Sequence, residues 1–339
     1  MRMKKSLLAM LSVITAAALA GCGAQEASQN APQADAGASK LKVYTSIYPL
    51  EFAAKRIAGD HADVVNIVPT GVEPHDFEPT AQDMVGLSGA DLFIYNGSGF
   101  EAWVDKAVEG LDKNKTAVVN ATEGLELLKA AEDHEHSDEH QEGTAEQGHE
   151  EHQEGSTAEA HEHEHGEFDP HVWLDPTMLK AQAEKIKAAL AQKDQAHAAD
   201  YEKNFQQLAS DLDQLDKEFK EMVAKAPKKE FMVSHSAFAY LAHRYGLEQV
   251  AISGLNPADE PSPADMKELV EHVKEHNISY VLFETLVSPK VAEVIAKEAG
   301  VKTGTLNPLE GLTEEEAKSG KDYLSIMRDN LNMLRAALQ

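Results

Sequence analysis

Cysteine, positive charge and long hydrophobic runs are all scarce in this chain of 339 residues. Cys22 is the only cysteine, which excludes an intramolecular disulfide. Lys and Arg number 31 against 58 Asp and Glu, and the net charge of −27 argues against nucleic acid or anionic lipid as a partner. The apolar run Leu7–Ala20 falls short of the ~20 residues that span a bilayer, so a permanent transmembrane helix is not expected there.

The amino-terminal segment has the pattern of a secretion signal, because Lys4 and Lys5 precede the apolar run. The run leads into Leu-Ala-Gly-Cys, which is typical of a lipoprotein signal cleaved before its cysteine. We therefore predict that residues 1–21 are removed, and that a lipid on Cys22 anchors an extracytoplasmic protein to the bacterial cell membrane. Residues 22–40, rich in Ala, Gln, Ser and Gly, are expected to form a flexible tether. The alternative is that Cys22 is an incidental small residue.

Residues 132–167, which we call the insertion, hold eight of the sixteen histidines and about half of the net charge, with no Lys or Arg. Such a composition cannot bury enough apolar surface to offset the entropy of ordering, so we predict a disordered segment. Neutral imidazoles beside carboxylates bind divalent ions without a fixed fold, which favours a low-affinity metal trap over a merely solvated acidic spacer. The histidines concerned are His134, His136, His140, His149, His152, His161, His163 and His165.

The rest of the chain alternates between strand-like and helix-like patterns, which indicates an α/β fold. Two sets of short β-branched runs predict two lobes with parallel sheets, over residues 41–195 and 227–339. The expected strands are Leu41–Ile47, Val64–Val68, Asp91–Tyr95 and Ala117–Asn120 in the first lobe, and Phe231–Ser234, Gln249–Ile252, Ser279–Phe283 and Lys302–Leu306 in the second. A helix is expected over Ser262–His276 because Ser262 before a proline is a good helix start.

One long helix is predicted to link the lobes over residues 196–226. The chain from His197 to Lys225 contains no Gly or Pro, and its apolar residues recur at helical spacing. At 1.5 Å per residue this helix would be roughly 40 Å long, which suits a rigid strut between two lobes.

Metal-type side chains follow several of the predicted strands. His75 lies in the loop after the second strand, and His235 and Glu284 end strands of the second lobe. Glu310 lies in the loop after the last strand, and His171 is held between two prolines. Because open parallel sheets bind ligands outside the carboxyl ends of their strands, these residues are candidates for one site. The other histidines, expected to be surface or helix residues, are His61, His197, His243, His272 and His276.

Four ordered motifs give the chain, from Leu41 to Gln339, a resemblance to the cluster A-I solute-binding proteins of metal ABC importers, and specifically to the zinc-binding lipoproteins. The motifs are GVEPHDFEPTAQD (Gly71–Asp83), DPHVWLDP (Asp169–Pro176), SHSAFAYLAHRYG (Ser234–Gly246) and NPLEGLT (Asn307–Thr313). A histidine-rich insertion before the second histidine motif is typical of the zinc-type members.

The resemblance implies two (β/α) lobes bridged by one long helix, with the metal between them. Its ligands would be His75, His171, His235 and Glu310, and the ion would be passed to the membrane permease of an ABC importer. Glu284 matches a recurring acid that supports a ligand from behind, with direct ligation as the alternative role.

Three imidazoles and one carboxylate suit tetrahedral Zn²⁺, whereas manganese favours more oxygen ligands. A manganese-type protein of the same family and a secreted zinc-dependent hydrolase remain as alternatives to a zinc carrier, and we do not expect an enzyme. Since imidazole binds metal only when neutral, ordinary histidine pKa values predict release of the ion below about pH 6.

Two other motifs do not support a function. Gly97–Ala102 fits G-x-G-x-x-A, but it follows the third strand instead of the first, and the next strand ends in Asn120 instead of an acid, which argues against a dinucleotide site. Ser234 beside His235 lacks the glycines of a nucleophile elbow, and neighbouring side chains on a strand point to opposite faces, which argues against a serine hydrolase.

Overall fold

The computed structural model describes residues 40–130 and 167–339. The predicted signal, Cys22 and the eight histidines of the insertion lie outside these residues, so the expectations for them stay predictions. No helix in the described ranges is long and apolar enough to cross a membrane.

The strands of the described residues form two parallel four-stranded sheets. The first sheet, in the order β2-β1-β3-β4, contains β1 (Leu41–Thr45), β2 (Ala62–Asn66), β3 (Leu92–Tyr95) and β4 (Ala117–Asn120). The second, in the order β6-β5-β7-β8, contains β5 (Glu230–His235), β6 (Glu248–Ser253), β7 (Tyr280–Phe283) and β8 (Lys302–Thr305). The predicted fold class of two parallel-sheet lobes is confirmed, and every predicted strand overlaps an observed one.

Helices connect the strands. Those before the second sheet are α1 (Tyr48–Ala58), α2 (Ala81–Leu87), α3 (Val104–Glu109), α4 (Pro176–Lys193) and α5 (Ala198–Val223). Those that follow are α6 (Ala239–Tyr245), α7 (Pro263–Glu275), α8 (Lys290–Ala299), α9 (Glu314–Ser319) and α10 (Tyr323–Ala337). The predicted start of α7 is confirmed, because the Ser262 hydroxyl accepts from the Asp265 N–H at 3.3 Å and Pro263 is the first helical residue.

The helix α5 is the predicted link between the lobes. Its 26 residues make it about 39 Å long, and it packs on α1 and α4 from the first half of the chain and on α10 from the second. Its buried stripe, which includes Leu208, Leu212 and Leu215, belongs to a hydrophobic core that also contains Val43 of β1 and Phe231 of β5. The inner faces of both sheets therefore share one continuous core around α5.

The two sheets have the same strand order, and in each the order reverses between the two central strands, β1 and β3 in one and β5 and β7 in the other. In open parallel sheets the crevice at such a switch point is the usual ligand site. Buried carboxylates follow the central strands β3 and β7, Glu101 in the first lobe and Glu284 in the second.

The residues that border the insertion lie side by side. Lys129 and Phe168 form an antiparallel bridge, and the N–H of Ala130 donates to the carbonyl of Glu167 at 3.1 Å. Glu167, the last residue of the predicted insertion, thus belongs to this pairing. The two described ranges therefore meet at this pairing, three residues before His171.

Candidate metal centre

Four residues from separate parts of the chain converge on one point, which we call the metal centre. His75 lies in the loop after β2, His171 immediately precedes the short 3-10 helix Val172–Leu174, His235 is the last residue of β5, and Glu310 lies in the loop after β8. One donor atom from each lies within 4.8 Å of the others, and all but His75 are fully enclosed. The structure thus brings together the four residues that the resemblance singled out.

The spacing of these donors matches a tetrahedron around a small ion. Oε1 of Glu310 is 3.4 Å from Nε2 of His75, 3.3 Å from that of His171 and 3.2 Å from that of His235. The Nε2 atoms of His75 and His171 are 3.4 Å apart. Zinc holds nitrogen and oxygen ligands at about 2.0–2.2 Å, which places the corners of a tetrahedron roughly 3.3 Å apart.

Two of the buried polar atoms at this point have no hydrogen-bond partner among the residues that the structure describes. They are Nε2 of His235 and Oε1 of Glu310, which lie close to each other without forming a hydrogen bond of acceptable geometry. A buried polar atom left unpaired costs about 1–3 kcal/mol, so the site has unmet polar interactions that a cation would satisfy.

The same local device orients His75 and His171, each of which follows an acid and a proline. The carboxylate of Glu73 accepts the N–H of His75 at 3.0 Å, and that of Asp169 accepts the N–H of His171 at 2.8 Å. Asp169 also bonds the ring Nδ1 of His171 at 2.8 Å, which leaves Nε2 facing the other ligands. The acid-Pro-His triplet occurs at both positions in the sequence, and this repeat is a local signal that could have pointed to the shared device.

Glu284 lies behind His235 and outside the group of four. Its Oε1 contacts the ring Nδ1 of His235 and accepts the hydroxyl of Ser234 at 2.5 Å. This contact directs Nε2 of His235 toward Glu310. The arrangement corresponds to the supporting role that the resemblance implied for Glu284.

Aromatic rings cover the histidines and connect their loops. Phe100 packs edge-on against His75 at 4.7 Å between ring centroids and against Trp173 at 5.4 Å. Trp173 lies 5.4 Å from the ring of His171, and its indole N–H donates to the carbonyl of Pro308 at 2.8 Å. Trp173 therefore ties the His171 segment to the loop that carries Glu310.

The loop of Glu310 is itself constrained. Leu309 adopts a left-handed conformation with φ of 60°, which is unfavourable for a branched side chain and is typical of functional sites. The side chain of Asn307 accepts the N–H of Leu309 at 2.7 Å, and the Asn330 amide bonds both the N–H and the carbonyl of Asn307. These bonds fix the backbone that presents Glu310.

The Gly97–Glu101 segment has a structural function. The Glu101 carboxylate accepts the N–H groups of Asn96 and Gly97 at 2.7 and 3.0 Å and the hydroxyl of Ser46 at 2.5 Å. These backbone donors, which a nucleotide phosphate would need, are thus occupied by the protein's own carboxylate. Burial raises the pKa of Glu101, although these hydrogen bonds act to lower it. The result is a rigid turn that holds Phe100 over His75, a role that the sequence alone did not reveal.

Burial and the charges of the site shift the pKa values of its histidines in different directions. Burial lowers the pKa of His75, only partly opposed by Glu310. For His235, burial lowers the pKa, but the charges of Glu284 and Glu310 outweigh it and raise the pKa to about 10. Burial is likewise outweighed at His171, where Asp169 and Glu310 raise the pKa. Burial would raise the pKa of Glu310, but the three imidazoles hold it well below its usual range.

A second group of metal-type residues was not expected from the sequence. Glu230, His272 and His276 also place donor atoms within 4.8 Å of one another. His272 and His276 are indeed helix-associated surface residues, as predicted, but their pairing with a glutamate 42 residues earlier in the chain was missed because no local pattern records it.

Two parallel-sheet lobes joined through one long helix, with metal-type side chains contributed from both, are typical of metal-binding solute-binding proteins. The chain belongs to the family described as zinc-uptake complex component A, periplasmic, or ZnuA, whose family model matches residues 43–337. The family resemblance stated from the four motifs is confirmed.

Individual relatives agree with this assignment. The zinc-binding lipoprotein AdcA of Streptococcus pneumoniae strain R6 is 39% identical over 331 residues, which are 98% of this chain and 60% of AdcA, so the chain spans only part of that relative. The high-affinity zinc uptake system protein ZnuA of Bacillus subtilis strain 168 is 40% identical over 320 residues, with 94% of this chain and 93% of that protein covered. The solved Zn(II)-bound ZnuA-like domain of S. pneumoniae AdcA has a TM-score of 0.71 at 38% identity, covering 88% of this chain and 99% of that one.

Proposed function

We propose that this protein is an extracytoplasmic solute-binding lipoprotein that captures Zn²⁺ between its two lobes and delivers it to the permease of a membrane ABC importer. The observation that carries the proposal is the spacing of the donor atoms of the metal centre, 3.2–3.4 Å for the pairs described above. The zinc-binding relatives named above support the same ion.

His75, His171, His235 and Glu310 bind zinc directly in this proposal, and Asp169 and Glu284 orient two of the imidazoles. Three nitrogen ligands favour zinc over manganese, which prefers oxygen. Four protein ligands complete a tetrahedron, whereas a hydrolytic zinc keeps one position for water. The closed set therefore supports a carrier over the secreted hydrolase.

The four proposed ligands come in two pairs from different parts of the chain. His75 and His171 precede α5 in the chain, and His235 and Glu310 follow it. The proposed lobes are residues 41–195 and 227–339, with residues 196–226 as the helix between them. A bound ion would therefore cross-link the two lobes. Because the inner core is continuous, we propose that the permease frees the ion chiefly by moving the loops of His75 and Glu310.

The test of the ligand set is zinc affinity by competition with a chelator for His75→Ala, His171→Ala, His235→Ala and Glu310→Ala. Each substitution should weaken binding by more than the roughly 10–100-fold typical of a group that only supports a ligand. His243→Ala, which changes an exposed histidine of α6, is the matched control and should bind like the parent. A substitution of one of the four that leaves affinity unchanged would remove that residue from the site.

The lipid anchor on Cys22 is tested separately. Cys22→Ser should abolish lipid labelling and release the protein from membranes, while zinc affinity stays that of the parent. Continued membrane association of this variant would contradict the proposed anchor without affecting the proposed zinc site.

A further inference from the structure

A second cluster of metal-type side chains lies at the opposite end of β5 from the metal centre. We call Glu230, His272 and His276 the surface triad. Glu230 is the first residue of β5 and His235 the last, so roughly 16 Å of strand separates the two clusters. The surface triad is thus distinct from the proposed zinc site.

The triad brings two imidazoles and one carboxylate to a single point. His272 and His276 are four residues apart at the carboxyl end of α7, a spacing that places both side chains on one face of a helix. Their rings stack at 3.9 Å between centroids with an interplanar angle of 23°. The Glu230 carboxylate faces both rings, with one oxygen in contact with Nε2 of His272 and the other 2.6 Å from Nδ1 of His276.

Without metal, each neutral imidazole can donate one N–H to a carboxylate oxygen, which satisfies the three groups. A divalent ion would take the place of these two shared hydrogens, with the hydrogen of each ring on its other nitrogen. Two imidazoles and one carboxylate that converge in this way are a ligand set that such an ion accepts. The carboxyl end of α7 also favours a cation, because the helix dipole is negative there.

The site is accessible. The side chains of His272 and His276 are 32% and 45% exposed, so an ion can reach them from solvent.

We propose that Glu230, His272 and His276 form a second, weaker and exchangeable binding site for an imidazole-preferring divalent metal such as Zn²⁺ or Ni²⁺. Three protein ligands leave a fourth position for water, unlike the closed metal centre. This site goes beyond the proposed function and does not depend on it.

Another stacked histidine pair provides a matched control. The rings of His61 and His197 also lie 3.9 Å apart, but each imidazole bonds its own aspartate, His61 to Asp200 at 3.0 Å and His197 to Asp194 at 2.6 Å. The pair therefore reproduces the stacking and the hydrogen bonds of the triad without a shared carboxylate.

The experiment is amide hydrogen exchange of the full chain, first loaded with one equivalent of zinc and then titrated with zinc sulfate. A peptide spanning residues 270–280 reports on the triad alone. At free zinc one hundred times the dissociation constant of the triad, amides whose opening breaks the site should exchange about 100-fold more slowly. The double substitution His272→Ala/His276→Ala should abolish this protection, and His61→Ala/His197→Ala should retain it.

The double variant could lose protection simply because α7 is destabilised, and Glu230→Gln controls for this. The substitution keeps the size of the side chain and one hydrogen-bond acceptor. It should reduce the protection while its exchange without added zinc stays near that of the parent. Exchange of this peptide that does not change up to millimolar free zinc, or protection that survives in the double variant, would overturn the proposed site.

Discussion

At the scale of single residues, the carboxylates around the metal centre differ in which groups of the histidines they bond, the ring or the backbone N–H. Glu284 contacts only the ring of His235 among the histidines of the centre, whereas Asp169 accepts both the backbone N–H and the ring of His171. Glu73 accepts the backbone N–H of His75 and has no recorded bond to its ring among the described residues. A substitution at Glu284 therefore perturbs one ligand ring with the least change to the chain itself.

We predict that Glu284→Gln weakens zinc binding without removing a ligand. The amide keeps the size of the side chain but loses the charge behind His235, and such supporting groups typically contribute 10–100-fold to metal affinity. Zinc affinity by chelator competition is the measurement, with Glu293→Gln as control for an exposed glutamate of the same lobe. A loss as large as that of His235→Ala would instead indicate that Glu284 is itself a ligand.

The raised pKa of His235 predicts proton release when zinc binds. Its pKa of about 10 lies above the ordinary 6.5, so without metal the imidazole is protonated at pH 7 to 9. Zinc must displace that proton, and affinity should rise by about one decade per pH unit across this window. Calorimetry in buffers of different ionisation enthalpy measures the protons released. Affinity that does not change between pH 7 and 9 would contradict the shift.

The same shift affects the stability of the metal-free protein in a definite direction. A raised pKa in the folded state stabilises the fold fully below the unfolded value near 6.5, and that contribution is lost as pH rises through about 10. The melting temperature of chelator-treated protein should therefore fall between pH 7 and 10. In Glu284→Gln this fall should be smaller, since the carboxylate that raises the pKa has been neutralised.

Residue types and strand ends predicted five candidates for one site, because ligands of parallel sheets gather at one edge, and the family resemblance singled out four of them. Their titration was not predictable. Ordinary histidine pKa values predicted release of the ion below about pH 6. The buried charges of Glu284 and Glu310 raise the pKa of His235, so protons compete with zinc for this ring at higher pH. Glu284 and Glu310 follow His235 by 49 and 75 positions in the chain, so only the fold brings their charges close to it.

At the scale of elements, the turn Gly97–Glu101 shows how a backbone conformation supports a site. Gly97 has φ of 86°, and a Cβ added to it would lie 2.5 Å from Oδ1 of Asn120. The turn positions Phe100 against His75. The G-x-G-x-x-A pattern was recognised in the sequence, but its function was not, because the burial of Glu101 depends on Ser46 after another strand.

We predict that Gly97→Ala destabilises the protein more than Gly124→Ala does. Both glycines have positive φ, so each substitution costs about 1–2 kcal/mol for the left-handed backbone. Nothing lies within 4 Å of a Cβ at Gly124, whereas at Gly97 the clash with Asn120 should add on the order of 1–3 kcal/mol. Urea unfolding of both variants measures the difference. Equal losses would mean that Asn120 moves aside without cost.

Helix boundaries were predictable where the signal is local. Ser262 and Pro263 start α7 as expected, and the absence of Gly and Pro predicted α5. The surface triad could not be predicted in this way. His272 and His276 are an ordinary helical pair in the sequence, and only the position of β5 beside the end of α7 brings Glu230 to them.

At the scale of the whole molecule, the described residues that border the insertion pair in the bridge between Lys129 and Phe168, three residues before His171. The hydroxyl of Tyr240, from the second lobe, donates to the carbonyl of Asp169 at 2.8 Å and accepts the N–H of Leu128 at 3.0 Å. Contacts outside the insertion therefore fix the chain that leads to His171.

We predict that deletion of residues 132–166 leaves the tight zinc site intact and removes a set of weaker ones. Titration calorimetry should show one tight equivalent in both proteins, and weak binding beyond that of the surface triad only in the parent. A full-length variant with all eight histidines of the insertion changed to asparagine is the control for chain length, and it should behave like the deletion. Loss of the tight site in either protein would contradict the separate roles of the two regions.

The bridge between Lys129 and Phe168 also bears on the local concentration of zinc next to the segment of His171. His161, His163 and His165 are at most seven residues from Phe168, so chain connectivity alone keeps them within roughly 25 Å of it. An ion held by one of them is confined to a small volume next to the segment of His171, which corresponds to an effective concentration in the millimolar range or above. Zinc that is scarce in the surroundings would thus be abundant for this one site.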